Sequence, residues 1–190
     1  MSRKYIDDEI IKGIDYTAKP FEKAEYTNCA FENCLFNGAD LSGIVFIDCE
    51  FVSSDLSTVE LKDTALRDVQ FTDCKMLGLH FDDCNSFLFS VHFSNCQLNL
   101  STFYQVSLKG ARIKNCQLRG VDFSESNLTG AMLPGSDLTN AVFDNTDLEK
   151  ADLRGAFNYS INTEKNRIRG ARFSKEGVSG LLQHLNISIE

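Results

Sequence analysis

A large apolar residue recurs at every fifth position along most of this 190-residue chain. Two series carry the pattern, one stepping from Phe21 to Phe81 and the other from Leu88 to Leu153, and all 27 of their positions are apolar or aromatic. Hydrophobic residues make up only 43% of the chain, so chance does not explain this agreement. A helix buries a face with a period of about 3.6 residues and a half-buried strand with a period of two, and neither matches. The backbone must therefore turn a large residue inward once in every five positions.

A second, smaller inward position is predicted two residues before each large one. Ala, Cys, Ser, Thr or Val occupies it almost throughout, and the departures are Lys19, Ile44 and Leu79. One large and one small inward residue in every five describe a short straight side that ends at a corner. Four such sides close a square coil of about 20 residues, hydrogen-bonded to the next coil at roughly 4.8 Å. The other three residues of each five are expected to face solvent.

The repeated segments resemble a known family. ADLSG, GVDFSESNLTGAML and NAVFDNTDLEKADLRGA are similar to the A(D/N)LXX pattern of pentapeptide-repeat proteins, and the likeness covers about residues 14–158. The resemblance implies an all-β fold, a right-handed quadrilateral β-helix, here with a short C-terminal helical cap. We expect residues 1–158 to form the β-helix with an N-terminal cap and a register slip at 82–87. Residues 159–190 are expected to form an irregular coil, a helix and a tail.

The cysteines follow the same period. If the first register persists to Ser86, all seven occupy the small inward position, where a free cysteine packs as a small hydrophobe. A metal site or a disulfide is the alternative, because Cys29/Cys49 and Cys96/Cys116 are 20 residues apart and should lie one coil apart. The odd count and an expected reducing compartment favour reduced, packed thiols. The seven are Cys29, Cys34, Cys49, Cys74, Cys84, Cys96 and Cys116.

Enzymatic chemistry is not predicted. The chain has three histidines, of which His80 and His92 should point outward and His184 lies in the tail, and no nucleophile–base set or glycine-rich phosphate loop converges with them. We therefore predict no catalytic, cofactor-binding or metal-binding residues and no cofactor. No apolar run is long enough for a membrane span and the N-terminus lacks a signal-peptide core, so we expect a cytoplasmic protein that does not bind membranes. An acidic chain without a basic stripe is expected not to bind nucleic acid directly.

The first break in the period is a two-residue insertion between Phe81 and Leu88. It places Phe87 and Phe89 outside the repeat phase. Two interpretations remain open: a bulge whose aromatic rings fold back over the coil, or a small aromatic contact patch for a partner.

The second break follows Leu153, where Asn158 stands in place of an apolar residue. Further on, Ser174 is predicted to cap a short helix, and an extended tail follows. Covering the open end of a β-helix is one role for this segment. A two-fold interface between C-terminal ends is the other, and relatives of this type dimerise end to end. We expect a homodimer formed through Val178, Leu181, Leu182, Leu185, Ile187 and Ile189.

Net charge is the remaining clue to function, and it is −8 for the chain. A solvated acidic surface that only maintains solubility is one reading. The other is imitation of DNA, because the chain resembles the quinolone-resistance and microcin-immunity members, rod-shaped bacterial dimers thought to occupy the DNA-binding saddle of type II topoisomerases. About seven coils give a rod of roughly 34 Å, and duplex DNA of that length carries about 20 phosphate charges, so mimicry would need a local acidic face. Each candidate acid directly precedes an inward Leu or Phe and should be exposed; they are Asp40, Asp55, Asp122, Asp137, Asp147 and Asp152.

The leading functional hypothesis is a non-enzymatic DNA mimic that binds and modulates DNA gyrase or topoisomerase IV and gives quinolone or toxin resistance. This chain lacks the longer projecting loops of the plasmid-type resistance proteins, which weakens the resistance part of the hypothesis. The alternative is a pentapeptide-repeat scaffold for an unrelated protein partner.

Overall fold

The chain winds into stacked square coils, as the five-residue period predicts. The computed structural model describes residues 4–185 and 187–188. Successive coils pair in parallel, and outside the insertion the spacing is 20 residues, for example from Lys4 to Ala24 and from Glu25 to Val45. The fold is a right-handed quadrilateral β-helix, and this prediction is confirmed.

Short strands form two of the four sides in the N-terminal part of the rod. The strands are β1 Lys4–Asp7, β2 Ile10–Lys12, β3 Ala24–Thr27, β4 Ala30–Glu32, β5 Val45–Ile47, β6 Glu50–Val52, β7 Ala65–Arg67, β8 Val69–Thr72, β9 Val91–Ser94 and β10 Ile113–Lys114. One parallel sheet has the order β1-β3-β5-β7 and the other has β2-β4-β6-β8-β9-β10. Farther along, the coils are joined mostly by single parallel bridges.

Four faces run along the rod, and each is defined by the outward residue that directly precedes a large inward one. Face 1 runs from Asp15 through Asp55 to Phe157, and face 2 from Asp40 through Thr102 to Val142. Face 3 continues β1, β3, β5 and β7 into Ser107, Asn127, Asp147 and Arg167. Face 4 continues β2, β4, β6, β8 and β9 into Arg112, Met132, Asp152 and Arg172. Because the chain visits the faces in this order, face 2 lies opposite face 4.

Stacked large side chains fill the interior. Phe31, Phe51, Phe71 and Phe93 stack in one column with ring centroids 4.7–5.3 Å apart. A second column contains Phe81, Phe103, Phe123 and Phe143, with centroids 4.5–5.4 Å apart. Each buried Phe of this kind contributes about 1.5–3 kcal/mol through removal of apolar surface from water. The columns therefore explain why a large residue is needed at every fifth position.

One member of the periodic series is wrongly placed by the sequence. Leu88 is not inward: its side chain is 64% exposed and its φ is 58°. Across the insertion the coil spacing becomes 22 residues, since Val69 pairs with Val91. The two extra residues bulge outward over 85–89, so the exposed Ser86 is also outside the core and the second series begins at Phe93.

Hydrogen bonds at the corners explain the small inward position. At some corners the N–H of the small residue donates to the carbonyl of the large residue three positions earlier, as from Ala39 N to Phe36 O at 2.7 Å. At others a serine of the next coil replaces that bond. The Ser136 hydroxyl donates to Ile113 O at 2.8 Å and accepts from Cys116 N at 3.2 Å. A buried carbonyl and amide are thereby satisfied through one hydroxyl.

Several cysteines make the same kind of contact, with a thiol in place of the hydroxyl. Sγ donates to the carbonyl of a large residue one coil earlier, as from Cys49 to Tyr26 O at 3.4 Å and from Cys74 to Phe51 O at 3.3 Å. All seven cysteines are free thiols. Six are buried at the small inward position, as predicted, whereas Cys84 is half-buried where the bulge begins.

The C-terminal cap consists of 3₁₀ helices at Lys175–Leu181 and Gln183–Leu185. The first passes directly over Tyr159, and an added Cβ at Gly180 would lie 2.2 Å from Tyr159 O, so only glycine fits there. Ser174 is the N-cap residue of the first helix, as predicted, but its side chain makes no cap hydrogen bond and instead accepts one from Gly155 N at 3.4 Å.

A matched pair of serines tests the corner hydrogen bonds. Ser136→Ala should lower the free energy of unfolding by about 1–3 kcal/mol, because it leaves a buried carbonyl and amide unpaired. Ser126→Ala should change it by less than about 0.5 kcal/mol: the Ser126 hydroxyl is buried without a partner, and the corner carbonyl of Phe123 already accepts from Ser126 N at 3.1 Å. Chemical denaturation followed by circular dichroism measures both, and equal effects would contradict the assignment.

Candidate partner-binding surface

The six aspartates predicted to form one acidic face do not share a face. Asp55 and Asp137 lie on face 1, and Asp40 and Asp122 lie on face 2. Asp147 belongs to face 3 and Asp152 to face 4. The prediction of a single face built from these residues is wrong, because the position before an inward residue recurs on every side of the coil.

Asp137 is also not exposed, contrary to the prediction. Only 5% of its surface is accessible, and its carboxylate accepts hydrogen bonds from Arg119 Nε at 2.7 Å, Thr139 Oγ1 at 2.6 Å and Asn158 Nδ2 at 3.0 Å. Burial raises the pKa of this carboxyl, but the bonds from Thr139, Asn158 and Arg119 outweigh burial and lower the pKa to about 2. Asn158, the residue that breaks the period, thus serves the packing of the last coils.

The other five aspartates have local structural partners. Each accepts a hydrogen bond from the backbone N–H two residues later, as Asp40 does from Ser42 and Asp122 from Ser124, both at 2.8 Å. This bond stabilises the turn that follows, which explains Asp or Asn at this position without a partner protein. Four of the five also form ion pairs, and Asp122 has none with any described residue. The pairs are Asp40–Lys23 at 3.1 Å, Asp55–Lys75 at 3.2 Å, Asp147–Arg167 at 3.3 Å and Asp152–Arg154 at 2.6 Å.

A different set of carboxylates does line one side of the rod. Face 2 and the corner after it form a continuous strip, which we call the acidic edge; its corner is joined from coil to coil by bonds such as Asp63 N to Asp83 O and Glu125 N to Asp144 O. All of its carboxylates are exposed or half-buried. The edge contains the lysines Lys23, Lys62 and Lys165 and the acids Glu22, Asp40, Glu60, Asp63, Asp82, Asp83, Asp122, Glu125, Asp144 and Glu164. Its net charge of −7 accounts for nearly all of the −8 of the chain.

Exposed apolar side chains lie beside the acidic edge. Phe87 is 65% exposed at the bulge, with its ring centroid 5.4 Å from the Arg67 guanidinium carbon. Phe89 instead folds back, half-buried, and meets Phe81 at 6.5 Å. The two aromatic residues therefore have different roles, and only Phe87 is free to contact a partner.

Two further exposed residues were not found from the sequence. Leu100 is 74% exposed and Tyr104 is 40% exposed, and they flank Thr102 of face 2. Leu100 has φ 62°, a left-handed conformation that Gly, Asn and Asp adopt at most corners of this protein. A leucine at a corner position that mostly holds Gly, Asn or Asp is the sequence signal that would have found it.

The C-terminal cap carries the other predicted contact residues. Val178, Leu185 and Ile187 are 42%, 48% and 55% exposed. Leu181 and Leu182 are half-buried, and Leu181 packs against the core. Ile189 lies outside the described residues.

The histidines do not form a site with one another. His80 lies on face 2 and His92 on the opposite face 4. No group of three or more metal-ligating side chains occurs in the part of the chain that the structure describes. Within the same residues, no helix is long and apolar enough to cross a membrane.

Comparison with known sequences assigns the family. The profile of the pentapeptide repeat region matches residues 24–87 and 86–156, so that the two matches meet at the bulge. The chain is a pentapeptide-repeat protein. Among curated protein sequences, none is similar enough to count as a match.

Solved structures of other pentapeptide-repeat proteins share the fold at low identity. A trypsin-treated variant of QnrB1, a plasmid-mediated fluoroquinolone resistance protein, is 21% identical with a TM-score of 0.64, and all of both chains is covered. Full-length QnrB1 is 18% identical with a TM-score of 0.57, over 96% of this chain and 100% of QnrB1. HetL, involved in heterocyst differentiation regulation in the cyanobacterium Nostoc sp. strain PCC 7120, is 15% identical with a TM-score of 0.53, over 90% of this chain and 85% of HetL. These likenesses establish the fold and not a shared function.

The buried carboxylate predicts how stability depends on pH. Because folding lowers the pKa of Asp137, its contribution is present above about pH 4 and is lost as pH falls towards about 2. Asp137→Asn should therefore lower the free energy of unfolding by about 2 kcal/mol near neutral pH, and the difference from the parent should shrink to less than about 0.5 kcal/mol near pH 2. Asp122→Asn, without an ion pair, is the control and should cost less than about 1 kcal/mol. Denaturation curves across pH measure both; a difference that persists at the lowest pH would contradict the linkage.

Proposed function

We propose that this pentapeptide-repeat protein is a non-enzymatic DNA mimic that binds the DNA-binding saddle of a type II topoisomerase, DNA gyrase or topoisomerase IV. The acidic edge is the observation that carries the proposal. The acidic edge concentrates negative charge on one side of the rod, whereas the six aspartates predicted from the sequence are spread over four faces. The fold shared with QnrB1, a fluoroquinolone resistance protein, supports quinolone resistance as the consequence of such binding, and toxin resistance is the alternative consequence.

The spacing of charge on the acidic edge supports imitation of one DNA strand. From Glu22 to Glu164 the edge passes through seven coil-to-coil steps, or about 34 Å. Ten carboxylates over that length average one per about 3.4 Å, the axial spacing of phosphates along a single strand of duplex DNA. Three lysines reduce the net negative charge, so the edge reproduces only part of the electrostatic potential of one DNA strand. It has no counterpart of the second DNA strand. A basic groove built to hold a duplex would attract this edge electrostatically.

Apolar anchors beside the edge support a protein partner. Leu100, Tyr104 and Phe87 are exposed within or next to the acidic strip, and aromatic side chains surrounded by polar groups are typical energetic centres of protein interfaces. These side chains have no counterpart on DNA. Their contacts with a topoisomerase would therefore add affinity that DNA lacks.

The acidic edge can be tested by charge reversal. The parent should inhibit gyrase supercoiling, or protect gyrase from a quinolone, at about tens of micromolar, and Glu60→Lys/Asp83→Lys should weaken this effect at least about tenfold because attraction becomes repulsion. Glu50→Lys/Asp48→Lys makes the same charge change on exposed residues away from the edge and should leave the effect unchanged. A titrated supercoiling assay with and without quinolone measures it. An inactive parent, or equal loss in both double variants, rejects the proposal.

The second candidate function is a scaffold for an unrelated protein, with the acidity serving solubility. Ion pairs such as Lys23–Asp40 and Lys165–Asp144 within the edge favour it, because they satisfy carboxylates without a partner. The shared fold with HetL, which acts in differentiation regulation, shows that this architecture serves more than one process. An inactive parent in the supercoiling assay combined with an intact fold would favour this candidate.

We also propose that the protein is a cytoplasmic homodimer joined through its C-terminal cap. Val178, Leu185 and Ile187 leave more apolar surface exposed than a lid over one coil needs. Leu185 is a better position for a test substitution than Leu181, because Leu181 packs against the core and its replacement would unfold the cap.

Substitution at the cap tests the dimer. Leu185→Asp should convert a dimer to a monomer, because burying an unpaired carboxylate costs several kcal/mol. Gln183→Asp adds the same charge to the same 3₁₀ helix at an exposed polar position and should not change the mass. Sedimentation velocity measures the mass. A monomeric parent, or a dimer that survives Leu185→Asp, rejects this interface.

A further inference from the structure

The side of the rod opposite the acidic edge is basic in its C-terminal half. From His92 onwards, face 4 and the corner after it carry a set of cations that we call the basic stripe: Arg112, Lys114, Arg154, Arg172 and Lys175. The only carboxylate among them is Asp152, which pairs with Arg154 at 2.6 Å. None of the other four cations belongs to an ion pair among the described residues. The expectation of no basic stripe is therefore wrong, because coil stacking aligns cations that are scattered along the sequence.

A shallow apolar cleft lies within this stripe. It has a volume of about 240 Å³ and is lined by Phe93, His92, Met132 and Pro134, with Arg112 and Lys114 beside them. Met132 is 40% exposed. Pockets for drug-sized ligands measure about 300–1,000 Å³, so this cleft suits a single large side chain better than a free small molecule.

A departure from the backbone ladder shapes the cleft. On face 4 the outward residues donate their N–H to a carbonyl of the previous coil, as Gln70 does to Cys49 O at 3.0 Å and Met132 to Ala111 O at 2.9 Å. Arg112 N instead donates to the His92 side chain, with Nδ1 as the acceptor at 3.1 Å. The imidazole is therefore held along the face between two coils, where it forms part of the cleft. Because the ring is already held in place, this protein loses less conformational entropy when a partner binds.

We propose that the cleft and the basic stripe bind an acidic segment of a second protein. One apolar side chain of that segment inserts between His92 and Met132, and its carboxylates pair with Arg112 and Lys114. The positive charge of the basic stripe selects an anionic partner, and the apolar lining of the cleft selects a partner with a hydrophobic anchor. Nucleic acid fits less well, because a chain of net charge −8 with a long acidic edge repels a polyanion. The surface lies opposite the acidic edge, so its occupant and a topoisomerase can be bound together.

The test uses a fluorescein-labelled peptide of sequence Glu-Glu-Asp-Leu-Phe-Glu-Glu with the full-length protein. Fluorescence anisotropy should report saturable binding below about 0.5 mM, weakened as salt is raised. A peptide with Ser-Gly in place of Leu-Phe reports the contribution of the anchor and should bind at least about fivefold more weakly. The binding of a labelled DNA duplex is measured in the same way, because nucleic acid is the competing class of ligand.

Variants locate the binding surface. Arg112→Glu/Lys114→Glu should weaken peptide binding at least about tenfold, and Met132→Ser about threefold or more. Lys109→Glu, an exposed cation of the same coil beyond this stripe, and Val142→Ser, an exposed apolar residue of face 2, are the matched controls and should leave binding unchanged. The proposal is overturned by no saturable binding, by equal losses in variants and controls, or by tighter binding of the duplex. None of these results bears on the acidic edge, which the supercoiling assay tests separately.

Discussion

The corner hydrogen bond is the interaction on which the rest of this structure depends. A square coil turns every five residues, and each turn leaves the carbonyl of a large inward residue pointing into an interior that excludes water. Where the turn itself supplies no donor, the next coil supplies one: Ser54 to Phe31 O at 3.3 Å, Cys96 to Phe71 O at 3.4 Å and Asn166 to Phe143 O at 3.0 Å. An unpaired buried carbonyl costs about 1–3 kcal/mol, which is large for one residue among many repeats. The small inward position is therefore a hydrogen-bonding position as well as a packing position, and this explains the frequent cysteines and serines.

The fold was predictable because the five-residue period is strong and local. Every large residue in the series except Leu88 is buried, and the insertion that displaces Leu88 is visible as a change in phase. The partner-binding surface was less predictable, because the face on which a residue lies depends on its position within the coil of about 20 residues. Aspartates that precede an inward residue look equivalent in the sequence, but they lie on four different faces of the rod. The burial of Asp137 depends on Arg119 and Asn158, which lie 18 and 21 residues away and become neighbours only through coil stacking.

Coil stacking also sorts the charge. The acidic edge holds a net −7, while the opposite side carries the basic stripe, so the rod has an electric asymmetry across its width that the net charge of the chain conceals. Such an asymmetry orients a molecule before contact, since an approaching basic surface attracts one side and repels the other. The binding surfaces proposed for a topoisomerase and for an acidic segment follow from this same separation, and each can fail without the other.

The bulge at 85–89 shows what the coil tolerates. The aromatic columns pass it without interruption, with Phe71 and Phe93 stacked at 5.3 Å and Phe81 and Phe103 at 4.5 Å. Two additional residues are thus accommodated without displacing either column, although the Phe89 side chain of the bulge packs back against the core. The loss of loop entropy grows only slowly with loop length. This corner can therefore hold a longer inserted loop. Such a loop would project beside the acidic edge, and the coils on either side would keep their register. A solenoid of this kind can change what it recognises by lengthening one corner, without any change to its interior.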